Sequence, residues 1–145
     1  MSRDESKLVV THLLLCWNSR TEHDVVRVYA DNYVGTDLTH RSHLNGAANV
    51  ARRLARLQQA FPDLHFDGEE AVFEDDRIVL SWSARGTHQG KFFNIPPTGC
   101  AVAIHGVSIF RAADGKITHG THLWDMAALL RQLGLLPELD PNLAL

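Results

Sequence analysis

The chain has 145 residues, 45% of them hydrophobic and 21% charged, with 10 Gly and 5 Pro, the composition of an ordinary globular protein. That length suits one compact domain over 1–145, which buries roughly 68–70% of its unfolded surface without needing a metal or disulfide staple. Lys and Arg number 14 against 17 Asp and Glu, so the net charge is −3 with the nine His neutral; nucleic acid is not an expected partner, because there is no basic footprint for a phosphate backbone.

The N-terminal run Met1 to Lys7 carries mixed charges and no apolar core ending in a cleavage site, so no secretory signal is read. From Leu8 to Trp17 the apolar residues are dense enough for a buried helix, with Leu8, Val9, Leu13, Cys16 and Trp17 on one face. Leu13 to Trp17 is also one of the two longest apolar stretches, far below the roughly 20 residues of a bilayer crossing, and no membrane partner is expected. Thr21 followed by Asp24 marks the start of a second, short helix through Val25, Val26, Val28 and Tyr29. Asn32 to Leu44 is polar and broken and reads as a loop with a short strand near Tyr33. Ala47, Val50, Ala51, Leu54, Leu57 and Phe61 recur at helical spacing, with Arg52, Arg53 and Arg56 on the other side as a solvated face. Asn45 is placed to cap that helix and Pro62 to end it.

Beyond Pro62 the period shortens. Leu64 to Phe73 and Arg77 to Arg85 read as two strands joined by Glu74-Asp75-Asp76. Gly86 to Gly99 is a loop rich in breakers. Ala101 to Arg111 and Lys116 to Trp124 form a second strand pair around a turn ending in Asp114-Gly115. Asp125 then opens a last helix, Met126 to Leu133, with Gly134 at its C-terminal stop. Helices, then antiparallel strands, then one helix predict an α+β fold: a curved antiparallel sheet forming a cone with helices on its concave face. The hollow of such a cone is a natural small-molecule site.

No G-x-S-x-G, H-E-x-x-H, P-loop or dinucleotide fingerprint occurs, so no nucleotide cofactor is expected. The nine His invite a metal reading, yet His40/His43 fall in a predicted loop and His119/His122 on opposite faces of a strand, so no metal is expected. Both cysteines, Cys16 and Cys100, sit in apolar patterns as free buried thiols, for which the cytoplasm is the simplest compartment.

Asp125 follows Ile117, His119, Thr121 and Leu123 at even spacing, on one face of an extended strand. Apolar neighbours would desolvate it and raise its pKa toward that of a general base; equally, an Asp between strand and helix is a favoured N-cap. His88, where a strand meets the Gly/Pro loop, would polarise a carbonyl at the cavity mouth or else bond its own backbone. His105, among Ala103, Val107 and Ile109, would serve as acid, base or donor if it faced the hollow.

Five segments in order, Phe61-Pro62-Asp63-Leu64, Gly86-Thr87-His88-Gln89-Gly90, Ile95-Pro96-Pro97-Thr98-Gly99, Asp114-Gly115-Lys116-Ile117, and Trp124-Asp125 with Arg131-Gln132-Leu133-Gly134, resemble the SnoaL-like polyketide cyclase family. The resemblance implies the cone-shaped α+β barrel shared with ketosteroid isomerase and scytalone dehydratase, assembly as a homodimer or homotetramer, and acid/base catalysis without a cofactor. It implies an intramolecular aldol condensation on a hydrophobic polyketide-like ester, with Asp125 as catalytic base and His88 lining the cavity. Where many members carry Glu and Trp after Gly-Lys-Ile, this chain has His119 and Thr121. The combined expectation is a catalytic set of Asp125, His88 and His105, with Trp82, His40, His119, Trp124 and Phe92 against the substrate. The alternative is a binding or dimerisation module of the same fold, without turnover.

Overall fold

The structure is a computed structural model that describes residues 1–19 and 21–143. Helix α1 (Arg3–Ser19) buries Val9, Leu13, Cys16 and Trp17. It starts earlier than its apolar stripe because Ser2 and Glu5 cap it reciprocally: Ser2 Oγ accepts from the Glu5 amide at 3.1 Å, and the Glu5 carboxylate accepts from the Ser2 amide at 3.0 Å. Helix α2 (Glu22–Val28) begins at Thr21, whose hydroxyl accepts from the Asp24 amide. The segment after it, read as a loop with a short strand near Tyr33, holds two strands, β1 (Tyr29–Asp37), which includes Tyr33, and β2 (Ser42–Asn45). β2 is an edge strand with β1 beside it, and neither shows a clean alternation of buried and exposed residues. Helix α3 (Ala47–Ala60) follows, but Gly46 rather than Asn45 is its N-cap and no side chain caps it; Asn45 instead accepts from Asn49 through its carbonyl.

Strands β3 (His65–Glu74), β4 (Arg77–Thr87), β5 (Ala101–Ala113) and β6 (Lys116–Trp124) and helix α4 (Met126–Gln132) complete the fold. The six strands form one sheet in the order β2-β1-β6-β5-β4-β3. All pairs are antiparallel except β1 with β6, so the α+β sheet is mixed, and with β2 and β3 left as edges it stays open rather than closing on itself. Inward residues of β4 and β5, such as Ile78, Leu80, Trp82 and Phe110, meet α1, α2 and α3 in the main core, and a smaller cluster joins Phe61, Val102, Leu129 and Leu133. Cys16 is buried and unbridged, and its thiol is pushed up to about 12 by desolvation and then by Asp24. Among the described residues no helix is long and apolar enough to cross a membrane.

One irregularity decides which side of β6 faces inward. Arg111 pairs with His119, but the next residue, Ala112, pairs with Ile117, so Thr118 is an extra residue in β6. A bulge of this kind reverses the alternation. Ile117 points into the core before it; Gly120, His122 and Trp124 point inward after it, while His119 and Leu123 are exposed.

Two glycines let bulky rings lie flat on this surface. A Cβ on Gly106 would overlap the Trp82 ring, and a Cβ on Gly120 would overlap the Tyr33 hydroxyl. Gly120→Ala should therefore lower stability by about 2 kcal/mol, and adding Tyr33→Phe should recover part of that loss, read as coupling in urea unfolding.

Candidate functional site

Between the concave face of the sheet, α3 and the loop after β4 lies a cavity of about 610 Å³, a size suited to a drug-sized ligand. Its walls are mainly apolar, including Leu54, Leu57, Phe61, Phe66, Phe92 and Ile104, and all three tryptophans, Trp17, Trp82 and Trp124, reach it. The polar groups are few: Tyr29, Tyr33, Asp37, His40 and His122 from the sheet side, and Arg53, Arg56, Gln59 and Lys91 from α3 and the loop.

His122 enters the cavity because the Thr118 bulge turns it inward. Its Nδ1 lies 2.6 Å from Ser108 Oγ, and that same oxygen accepts from Trp82 Nε1 at 3.0 Å. Ser108 is fully buried, so its hydroxyl proton has one acceptor within reach, His122 Nδ1. A hydroxyl that accepts on one side and donates on the other fixes the ring as the neutral tautomer with its proton on Nε2. That nitrogen is 3.4 Å from the Tyr33 hydroxyl. Charging the ring is opposed: desolvation lowers its pKa to about 4, Asp37 pulls it up and Arg53 adds to the lowering. Through the neutral range His122 is therefore an uncharged ring at the cavity wall, with its Nε2 facing the Tyr33 hydroxyl.

His40 and Asp37 form the second polar group. His40 Nε2 lies 3.3 Å from Asp37 Oδ2. The carboxylate is held on both oxygens: Oδ2 accepts from Trp124 Nε1 at 2.9 Å and Oδ1 from the Thr39 amide at 2.9 Å. Thr39 in turn exchanges hydrogen bonds with the Trp124 backbone, at 2.9 Å as donor and 2.8 Å as acceptor, locking the turn onto β6. Phe93 and Trp124 pack against the His40 ring, at 5.1 and 6.4 Å between centroids. With both its oxygens engaged, Asp37 is held in place against the His40 ring.

The expected site residues divide between this cavity and the rest of the molecule. His40, Trp82, Trp124 and Phe92 line it. His119 is exposed and bonds Thr118 through Nδ1. His105 is 74% exposed and pairs with Glu69 on the outer face. Asp125 borders the same shallow outer depression as His105 and Glu69. It is exposed, and its Oδ1 accepts from the Ala128 amide at 2.9 Å, so the dry setting expected for it is absent and the capping reading describes it. The physical reason is the bulge: even spacing from Ile117 to Asp125 crosses Thr118, where the phase inverts. His88 is fully buried but lies off the cavity wall, stacked on Phe61 at 5.3 Å. Its Nδ1 takes the Thr98 amide and lies 3.0 Å from the Thr98 hydroxyl, pinning the two ends of the Gly/Pro loop together.

Asp37, Tyr33, Ser108, His122 and Arg53 were not among the expected site residues. The Asp37/His40 spacing of three was one available signal. The even offset of His122 from Trp124 was another, since it places both on the face opposite Leu123 and Asp125.

His122 also ties stability to pH. Its pKa is about 4 folded against 6.5 unperturbed, so between those values the unfolded chain binds the extra proton. The stability contribution is fully present above about pH 6.5 and is lost as pH falls toward 4, by up to about 3 kcal/mol. His122→Gln should remove this part of the slope in urea titrations run across that window. On the outer face, Asp125→Ala should cost about 1 kcal/mol through the lost cap, and Asp125→Asn much less, measured by the same method.

A family model described as SnoaL-like polyketide cyclase matches residues 7–133. No curated protein matches the chain in a sequence search. Among solved structures, AclR from Streptomyces galilaeus, provisionally described as a hydroxylase, is similar with a TM-score of 0.83 and 27% identity over 97% of this chain and 92% of that one. IdmH from Streptomyces antibioticus, provisionally described as a polyketide cyclase, gives 0.77 and 22% over 88% and 97%. A protein from Catenulispora acidiphila with a ketosteroid isomerase-like fold gives 0.76 and 16% over 92% and 97%. The latter two likenesses concern the fold, whereas the family model spans nearly all of the sequence: the chain belongs to the SnoaL-like polyketide cyclase family.

Proposed function

We propose that the protein is an acid/base enzyme acting on a hydrophobic carbonyl compound, and that its reaction is an aldol-type ring closure of a polyketide-like ester. The observation that carries this reading is the presence, in one apolar cavity, of a carboxylate-backed imidazole (His40 with Asp37) and a second imidazole kept neutral (His122). In this scheme His40 Nδ1, the ring nitrogen turned away from Asp37, takes a proton from carbon next to the carbonyl. The electron pair moves onto the carbonyl oxygen, where His122 Nε2–H stabilises the developing charge. The enolate carbon then attacks a second carbonyl of the same molecule, and the imidazolium of His40 returns the proton to the new alkoxide. Asp37 stabilises that imidazolium in between.

Asp125 has no part in this scheme, because it lies on the opposite side of the sheet. In this scheme the roles expected of Asp125, His88 and His105 are carried by His40, Asp37 and His122 at the cavity. A binding module without turnover would be favoured by a cone plugged with aromatic rings; here Trp82 and Trp124 line an open hollow and use their N–H groups on Ser108 and Asp37.

Exchange of the α-protons of 2-tetralone in deuterated buffer, followed by proton NMR, tests the base directly. The protein should accelerate exchange; His40→Asn should reduce the enzymatic rate by about 10²- to 10⁴-fold, and His122→Phe by about 10²-fold or more. Asp125→Asn should leave it within about twofold. Exchange by His40→Asn at the parent rate would remove His40 as the base.

A further inference from the structure

We propose that the substrate ester is amphiphilic, its apolar body bearing a separate free carboxylate, and that Arg53, with Arg56 and Lys91 also at the cavity, binds that carboxylate at the α3 side. This deepens the reading above by naming the substrate class; the test below reads binding alone, so its outcome is separable from that of the proton-exchange experiment.

Helix α3 carries three arginines and no acidic residue, in a chain whose net charge is −3. Arg52 is exposed away from the cavity, but Arg53 and Arg56, three residues apart on one helix face, both line it. Arg53 is only partly exposed. Lys91 is brought to the same side by the backbone: the amides of Gln89 and Gly90 both donate to the Ala60 carbonyl at the end of α3, each at 3.0 Å. Gly90 packs so closely on the Gln59 carbonyl that a Cβ there would overlap it. All three cationic residues thus border the cavity.

None of them has an acidic partner among the described residues. Among the described residues the ion pairs are Asp37 with His40, Asp67 with His65 and Arg85, and Glu69 with His105. Asp37, the carboxylate that shares the cavity, is already satisfied by Trp124, Thr39 and His40. A partly exposed arginine at an apolar wall, without a counter-charge among the described residues, is the arrangement that a planar carboxylate completes by two parallel hydrogen bonds. The remaining lining supplies the apolar body's contacts, and the volume of about 610 Å³ leaves room for a multi-ring skeleton between Arg53 and the two histidines. Arg53 is also one of the charges that opposes protonation of His122; a bound carboxylate would offset it.

Because all three tryptophans line the cavity, intrinsic fluorescence of the full chain reports occupancy. Titration with 2-naphthoate and with 2-naphthamide, which differ in charge at nearly equal size, should show the acid binding at least about tenfold more tightly at low ionic strength. The preference should shrink in high salt. It should be abolished in Arg53→Met and weakened in Arg56→Gln/Lys91→Gln, whose two positions are exposed; circular dichroism checks that both variants fold. Equal affinity for acid and amide, no binding of the acid, or a preference unchanged in both variants would each overturn the proposal.

Discussion

An apolar hollow lined by indoles and phenols is stable only if each polar tip finds a partner, because an unpaired buried donor costs about 1–3 kcal/mol. Here every indole N–H is matched: Trp17 to the Tyr29 hydroxyl at 2.9 Å, Trp82 to Ser108, and Trp124 to Asp37. The partners chosen to satisfy two of these tryptophans are the same groups that set the state of the two cavity histidines. Ser108 can dictate the tautomer of His122 because Trp82 has already occupied its acceptor side, and Asp37 is held against His40 because Trp124 anchors it. Packing and chemistry thus share one hydrogen-bond network, and a change made to fill the core would be felt in the site.

The segments that carry the family resemblance act mostly on the frame. His88 and Thr98 close the Gly/Pro loop on itself. Asp63 accepts from both the amide and the hydroxyl of Thr87, fixing the end of β4. Gln132 bonds the backbone of Ala103 in both directions, at 2.7 and 2.8 Å, and so docks α4 on β5. The residues facing the cavity lie largely between these segments. This division allows one cone to be kept while its lining is altered, consistent with a fold whose relatives bear different provisional descriptions.

Much of the architecture was legible from periodicity. The stripe of α3, the alternation of Ile78, Leu80, Trp82 and Ala84 in β4, and the Asp-Gly turn before β6 each reflect one strong local preference. Of β1 and β2, only the part of β1 near Tyr33 was legible, since burial along both is uneven and β1 finds its second partner in the distant β6. The cavity's polar members were legible only in part. His40 stood out by residue type, but Asp37 gains its meaning from Trp124, 87 positions away. Arg53 sits beside Leu54 on the border of the apolar stripe, where a helical wheel alone does not separate a solvated arginine from one leaning into a hollow.

The bulge at Thr118 makes the inner and outer faces of β6 a matter of counting. Upstream and downstream of it the strand obeys opposite parities, so the two rows of side chains are joined by one residue of slack. Were Thr118 paired in line with its neighbours instead of bulged, His119, Thr121 and Leu123 would turn into the hollow and His122 and Trp124 out to water, an exchange of lining accomplished without altering a single side chain in either row.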